Sequence, residues 1–320
     1  MVGDRMSPLS DLKGDQSTGW QLVKLLWQAN AIPGGGGRIR GLLRRMNYVI
    51  RLLPGLQHIR TFLQANGNQY LRDELQYSLT PLKSISRPYV HADWSVPERI
   101  QALTNHYQIL TQENYLKLKF LPNQYWDCAS INFANDVLTV KIDKADWMRP
   151  EGELTLSAFW GIHRAYAVAF SLQTTTSGRV LQIGALQGWQ NEKAKDLYAD
   201  LTTSMHGLRP RDLMVNLAQM VAMTLVCNEV WGISDSSHHT NIRGNVDNKH
   251  SVYDEIWREN GGLLNDKGFF VLPVVVRKRE FADIPSKKRA QYRRRYELLD
   301  ELQAQITMSF ENNLTDFKTH

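Results

Sequence analysis

No aspartate or glutamate occurs between Gln16 and Arg72. The formal charges in that stretch are Lys24, Arg38, Arg40, Arg44, Arg45, Arg51, Arg60 and Arg72, all positive. The whole chain is far more even, with 38 basic against 32 acidic residues and a net charge of +6. A long segment of one sign creates a local positive field that draws anionic surfaces or acidic partners, and it says nothing about fold. Cysteine is scarce: Cys128 and Cys227 are the two present, far apart. That argues against a disulfide framework and makes a reducing compartment the default. Long apolar runs are missing. The longest, such as Phe269–Val276, fall well short of the roughly 20 residues that span a bilayer. The opening Met1–Pro8 has no apolar stretch of the secretory kind. The expectation is a soluble or peripheral protein, not an integral one.

What is present is ordinary globular material, 42% apolar and 22% charged, with a length of 320 residues that suggests about two domains. The spacing predicts helices over Trp20–Asn30 and Ile39–Leu53, separated by Pro33 and the four glycines Gly34–Gly37. In the second helix Ile39, Leu42, Leu43, Met46, Val49, Ile50 and Leu53 form one stripe, with Arg40, Arg44 and Arg51 opposite. That wheel suits a helix lying on its own protein's core, the commoner case, and equally a helix lying in a membrane interface. Further helical pieces are expected over Leu56–Leu63, Tyr70–Leu79 and Val96–Leu110, with Pro81–Pro97 as loop. From Leu116 the period shortens to two: Leu116–Leu121, Ser130–Phe133, Val137–Ile142, Leu154–Trp160, Tyr166–Leu172 and Val180–Leu186 read as an antiparallel meander. Helices over Glu192–Met205 and Pro210–Val226, a strand at Glu229–Ser234, a helix at Ser251–Asn260, a strand at Phe269–Val276 and a basic helix over Ser286–Gln305 complete the pattern.

The expected fold is therefore α+β. A basic helical N-terminal region over 1–112 leads into a domain over 113–305, an antiparallel-meander mixed sheet with flanking helices, and a tail over 306–320. The element order after residue 113 resembles the Gcn5-related N-acetyltransferase (GNAT) fold. By that resemblance Tyr253, on the late helix, stands where a general acid often sits, and acyl-CoA would be the cofactor. The turn that cradles the CoA pyrophosphate in that family is not matched by Gln187–Lys193, and Arg209 and Arg211 beside the start of a helix offer a weaker substitute.

Three constellations carry chemistry. Asp235 and His238, just past a strand, can form an acid–base pair in which the carboxylate orients the imidazole. With Tyr253 they make a base, an orienter and an acid. The plainer alternative is a polar strand exit whose Asp and Ser side chains cap backbone groups. No metal site is expected, because adjacent histidines seldom ligate the same ion, His250 would complete only a partial set, and no Cys or carboxylate lies at a convincing spacing. The basic helix supplies Lys287, Lys288, Arg289, Arg293, Arg294 and Arg295 as phosphate or anionic-lipid ligands, alongside Arg40, Arg44, Arg51, Arg209 and Arg211. Nucleic acid is the less favoured partner, since no recognised DNA or RNA module surrounds these runs. An anionic membrane surface or an acidic envelope component is the better match.

At His206-Gly-Leu-Arg-Pro, Val230-Trp-Gly-Ile-Ser-Asp-Ser-Ser-His, Phe269-Phe-Val-Leu-Pro and Ile284-Pro-Ser-Lys-Lys-Arg-Ala-Gln-Tyr-Arg-Arg-Arg-Tyr the chain resembles the VirK/YbjX family of Gram-negative bacteria. Ile183-Gly-Ala-Leu-Gln-Gly agrees with it. The resemblance implies a bacterial protein that is cytoplasmic or peripheral at the inner membrane, linked to envelope integrity, surface-protein localisation, virulence and resistance to antimicrobial peptides. It brings no settled enzymatic activity and no catalytic residue.

Overall fold

The computed structural model describes residues 19–30, 38–64, 69–112, 124–241 and 253–315. The chain divides into two compact units, Met1–Asn114 and Tyr115–His320. The glycine run at 34–37, the strand expected at Leu116–Leu121 and His250 lie outside the described residues.

The first unit is helical: α1 (Gly19–Ala29), α2 (Arg38–Leu52), α3 (Leu56–Gln64), α4 (Gln69–Leu75), α5 (Thr80–Ser86) and α6 (Val96–Gln112). Its core gathers Leu22, Leu26, Ile59, Phe62, Leu71, Leu82 and Leu103. A polar pair is built into that core: the Ser86 hydroxyl donates to Asn30 Oδ1 at 2.8 Å, and the Asn30 amide donates back to the Leu26 carbonyl at 2.9 Å. A capping box opens α6, with the Ser95 amide and hydroxyl both donating to Glu98 Oε2 at 2.7 and 2.6 Å. Those two bonds hold the Glu98 carboxyl below its usual range. Residues 81–86, expected as loop, are helical because Pro81 sits in the first turn, where its missing N–H costs nothing. The stripe of α2 lies on this core only in part. Val49 and Leu52 are buried, but Ile39, Leu42, Leu43, Met46, Ile50 and the following Leu53 are exposed.

The second unit is an eight-stranded sheet: β1 (Tyr125–Asn132), β2 (Val137–Asp143), β3 (Leu154–Trp160), β4 (His163–Thr175), β5 (Gly178–Gly188), β6 (Glu229–Ile233), β7 (Leu263–Leu264) and β8 (Phe269–Leu272), in the order β1-β2-β3-β4-β5-β6-β8-β7. Every described neighbour pair is antiparallel except β5 with β6. The chain is thus mixed α/β with a large, mostly antiparallel sheet. Between β5 and β6 run α7 (Ala194–Ser204) and α8 (Pro210–Thr224), and α9 (Tyr253–Glu259) precedes β7. Leu213, Met214, Leu217, Val221 and most other side chains of α8 are buried, and the helix packs on β3 to β6. The final helix, α10 (Ser286–Thr315), packs on α8 and β1. It runs past the expected end at Gln305, because Ile306 and Phe310 are also buried and Phe310 meets the Trp126 ring at 4.3 Å. Strand β8 stops at Leu272, short of the expected Val276, since Pro273 supplies no amide to continue the ladder. Both cysteines are free and buried, Cys128 in β1 and Cys227 just before β6. Burial raises both thiols, that of Cys227 to about 12.

The ladder between β4 and β5 is irregular at one point. Ala169 pairs with Ala185 and Phe170 with Ile183, so Gly184 is the extra residue of a bulge in β5. A Cβ on Gly184 would lie 1.9 Å from the Glu151 carbonyl oxygen. Only glycine lets the chain before β3 press this closely on β5, and that approach delivers the Glu151 side chain to the end of the sheet.

Candidate functional site

Strand β6 pairs with β5 from Glu229 to Gly232 and ends at Ile233, while β5 runs on to Gly188. Beyond the carboxyl ends of a parallel pair the backbone separates, and such crevices collect ligands in open sheets. Here the chain places Glu151, Gln187, His238, His239 and Tyr253.

His239 Nε2 lies 3.3 Å and His238 Nε2 3.8 Å from Glu151 Oε1. The two imidazole centroids are 4.5 Å apart, and the His238 ring is 5.5 Å from that of Tyr253. Gln187 Nε2 donates to both Glu151 oxygens, at 3.3 and 3.2 Å. Thr240 Oγ1 is 2.8 Å from His238 Nδ1. The Leu186 amide donates to the Tyr253 hydroxyl at 3.4 Å. Glu151, His238 and Tyr253 are buried and His239 is partly exposed. Burial drives the His238 imidazole down to about 4, helped by the neighbouring His239 charge, with the Gly184 carbonyl pulling the other way. Burial, then the Glu151 charge, pushes the Tyr253 phenol up. At neutral pH the cluster therefore holds a neutral imidazole beside a protonated phenol.

Of the residues expected to do chemistry, His238 and Tyr253 converge. Asp235 does not orient His238. Its Oδ1 accepts the Tyr253 amide at 3.1 Å and its Oδ2 the Asp254 amide at 3.3 Å, while Asp254 Oδ1 accepts the Asp235 amide at 2.9 Å. This reciprocal capping fixes the start of α9, the plainer of the two roles open to a polar strand exit. The carboxylate beside the imidazoles is Glu151, which stands 88 positions before His239. Nothing in the local sequence around Glu151 signals it. The cue lies in Gly184, a glycine in the interior of an otherwise buried strand.

The basic residues sort differently. Arg40 and Arg44 have side chains outside the described set, and Arg51 is exposed on α2. Arg209 and Arg211 are held by carboxylates: Glu259 Oε2 lies 2.7 and 2.8 Å from their Nη2 atoms, and Asp212 Oδ2 is 2.6 Å from Arg209 Nε. Arg295 donates to the His206 carbonyl at 2.9 Å and lies over the Tyr292 ring at 4.4 Å, and Arg289 donates to the Ile284 carbonyl at 3.0 Å. Lys287, Lys288, Arg293 and Arg294 project as exposed groups of α10. An open cavity of about 430 Å³ joins Arg209, Arg277, Arg279, Lys288 and Arg295 with Asp212 and Glu259. It is cationic, although two of its walls are already compensated.

The model of a family described as protein of unknown function (DUF535) matches residues 38–308. The chain is 29% identical over 236 residues to the protein YbjX of Escherichia coli (strain K12), covering 71% of each. It is 34% identical over 157 residues to a protein of Haemophilus influenzae (strain Rd), covering 49% of this chain and 48%, about half, of that relative. A Mannheimia haemolytica protein named membrane protein LapB is 27% identical over 153 residues, 47% of this chain and 64% of that one. No solved structure matches.

Proposed function

Because this chain belongs to the VirK/YbjX (DUF535) family, we propose that it is an envelope-maintenance factor that works while docked on an anionic membrane surface through α2. The observation that carries this is the unpartnered stripe: Ile39 is 74% exposed and Leu43 and Ile50 are each 53% exposed, on a helix that carries no acidic residue. Fully burying one such side chain is worth about 1.5–3 kcal/mol. Several of them entering the acyl boundary, with about 1 kcal/mol from each nearby basic residue, suffice for reversible binding. Among the described residues no helix is long and apolar enough to cross a membrane. The name of the LapB relative agrees with a membrane setting for that protein. In this reading the docked chain supports the localisation of surface proteins and resistance to antimicrobial peptides at the bacterial inner membrane.

Liposome flotation tests it. The full chain should float with vesicles containing anionic lipid and not with neutral ones. Leu42→Ser together with Leu43→Ser and Ile50→Ser should abolish flotation at all salt concentrations while leaving the melting curve unchanged. Flotation of that triple variant at the wild-type level sinks the proposal.

A second reading, acyl transfer, has one observation in its favour: His238 and Tyr253 meet at the carboxyl ends of the parallel pair. In this reading His238 would take the proton of an acceptor amine or hydroxyl as that atom attacks the thioester carbonyl, and Tyr253 would protonate the departing CoA thiolate. The engagement of Arg209 and Arg211 by Glu259 weighs against a CoA pyrophosphate site, so this reading stands second. Calorimetric titration with acetyl-CoA should give heat if it holds, and a flat titration removes it.

A further inference from the structure

We infer that Glu151, His238 and His239 form a binding site for a divalent transition-metal ion such as Zn²⁺, Co²⁺ or Mn²⁺. One ligand atom from each lies within 4.8 Å of the other two. The edges to Glu151 Oε1 are 3.3 and 3.8 Å. Bonds of about 2.0–2.2 Å to a central ion require edges of about 3.0–3.5 Å in tetrahedral or octahedral geometry, so small side-chain adjustments close the set. Consecutive histidines normally point apart. Here the turn from Ser234 into the short 3-10 segment His239–Asn241 brings both rings to the same carboxylate.

A second, independent observation points to a missing ligand. His238 Nε2 is buried and meets no partner at full hydrogen-bond geometry among the described residues; the Gly184 carbonyl acts on the ring only weakly, and Glu151 Oε1 stands 3.8 Å away. A buried polar atom without a partner calls for an explanation, and an ion held between this nitrogen and the Glu151 carboxylate supplies one. The Thr240 hydroxyl and amide both lie against His238 Nδ1, at 2.8 and 3.4 Å, so the other ring nitrogen faces Glu151. Contacts on the far side of the ring fix its orientation, as outer contacts do for a metal-bound imidazole, and the two contacts from Gln187 do the same for the carboxylate.

The donor chemistry narrows the class of ion. Two imidazoles and one carboxylate suit borderline divalent ions. Copper(I) prefers thiolate or thioether, and magnesium and calcium prefer all-oxygen sets. Three protein ligands leave at least one position for water or a substrate oxygen, the pattern of a reactive site more than of a purely structural one. A bound ion would also consume the lone pair on which acyl transfer depends, so the two uses of His238 exclude each other. Docking through α2 is independent of both.

The experiment uses the full, untagged chain stripped with a chelator and then titrated with Co²⁺. Visible d–d bands should grow to a single equivalent and be displaced by Zn²⁺, with a rise in melting temperature on Zn²⁺ addition. Glu151→Gln and His239→Ala should each weaken binding at least tenfold, and Tyr253→Phe should leave it unchanged. Circular dichroism confirms that the variants fold. Should a variant not fold, ¹⁵N-histidine spectra of the wild type decide instead: two imidazole Nε2 signals must shift on Zn²⁺ addition. No bands with folded wild-type chain, or equal uptake by a folded His238→Ala, His239→Ala double variant, overturns the assignment.

Discussion

At the scale of single residues, His238 makes the most direct prediction. Its folded-state pKa of about 4 lies below the usual 6.5. As pH falls through 6.5 the unfolded chain binds a proton that the folded chain refuses. Stability from this group is therefore complete above pH 6.5, is lost between 6.5 and 4, and then levels off, for a total of roughly 3 kcal/mol at most. Asp235, whose carboxyl is raised by burial, works in the opposite sense and softens the lower end. Chemical denaturation of the chelator-treated chain across this range should show the slope, and His238→Gln should flatten it. An unaltered slope in that variant would move the effect to another group. Which residues are legible in the sequence follows from the range over which each acts. His238 and Tyr253 stand near a strand end and a helix start, both of which leave local marks. Glu151 reaches them only because Gly184 bulges out of β5, a contact that no spacing rule encodes.

At the scale of elements, α9 illustrates how a residue suited to catalysis serves the frame instead. The Asp235 carboxylate spans the first two amides of a helix of seven residues. So short a helix depends on its cap and on Trp257, whose indole N–H donates to the Ile233 carbonyl at 2.8 Å. Asp235→Ala should cost about 1 kcal/mol and raise hydrogen exchange at Tyr253 and Asp254 above that of β5. Exchange unchanged at those amides would mean the cap is dispensable. Strands β2 to β5 are legible because period-two alternation and long runs of small and branched residues leave few alternatives. The α5 helix is hidden by Pro81, which ends helices from inside but opens them at the first turn. The two-residue β7 is too short to carry any period. The α2 helix is legible as a helix, but its wheel cannot say what covers it; only its neighbours in space decide that.

At the scale of the whole molecule, charge is distributed unevenly in kind as well as in amount. Arg209 and Arg211 are tied to Glu259 within the fold, so they add to the net charge without offering free positive ends. Arg51, Lys287, Lys288, Arg293 and Arg294 remain exposed. The composition alone, at +6, could not distinguish these two populations. Surface cations lose their reach once salt shortens the screening length to about 8 Å, whereas an apolar stripe does not, and that separates their contributions to vesicle binding.

The two cysteines stand apart from the Glu151 cluster, yet they acquire a use from where they are kept. A thiol reacts through its thiolate, and both sulfurs are sequestered and reluctant to ionise. A maleimide applied to the native chain must wait for local opening. Cys128 thus times the loosening of the β1 edge, and Cys227 times the opening of the turn between α8 and β6, two built-in stopwatches in one unit.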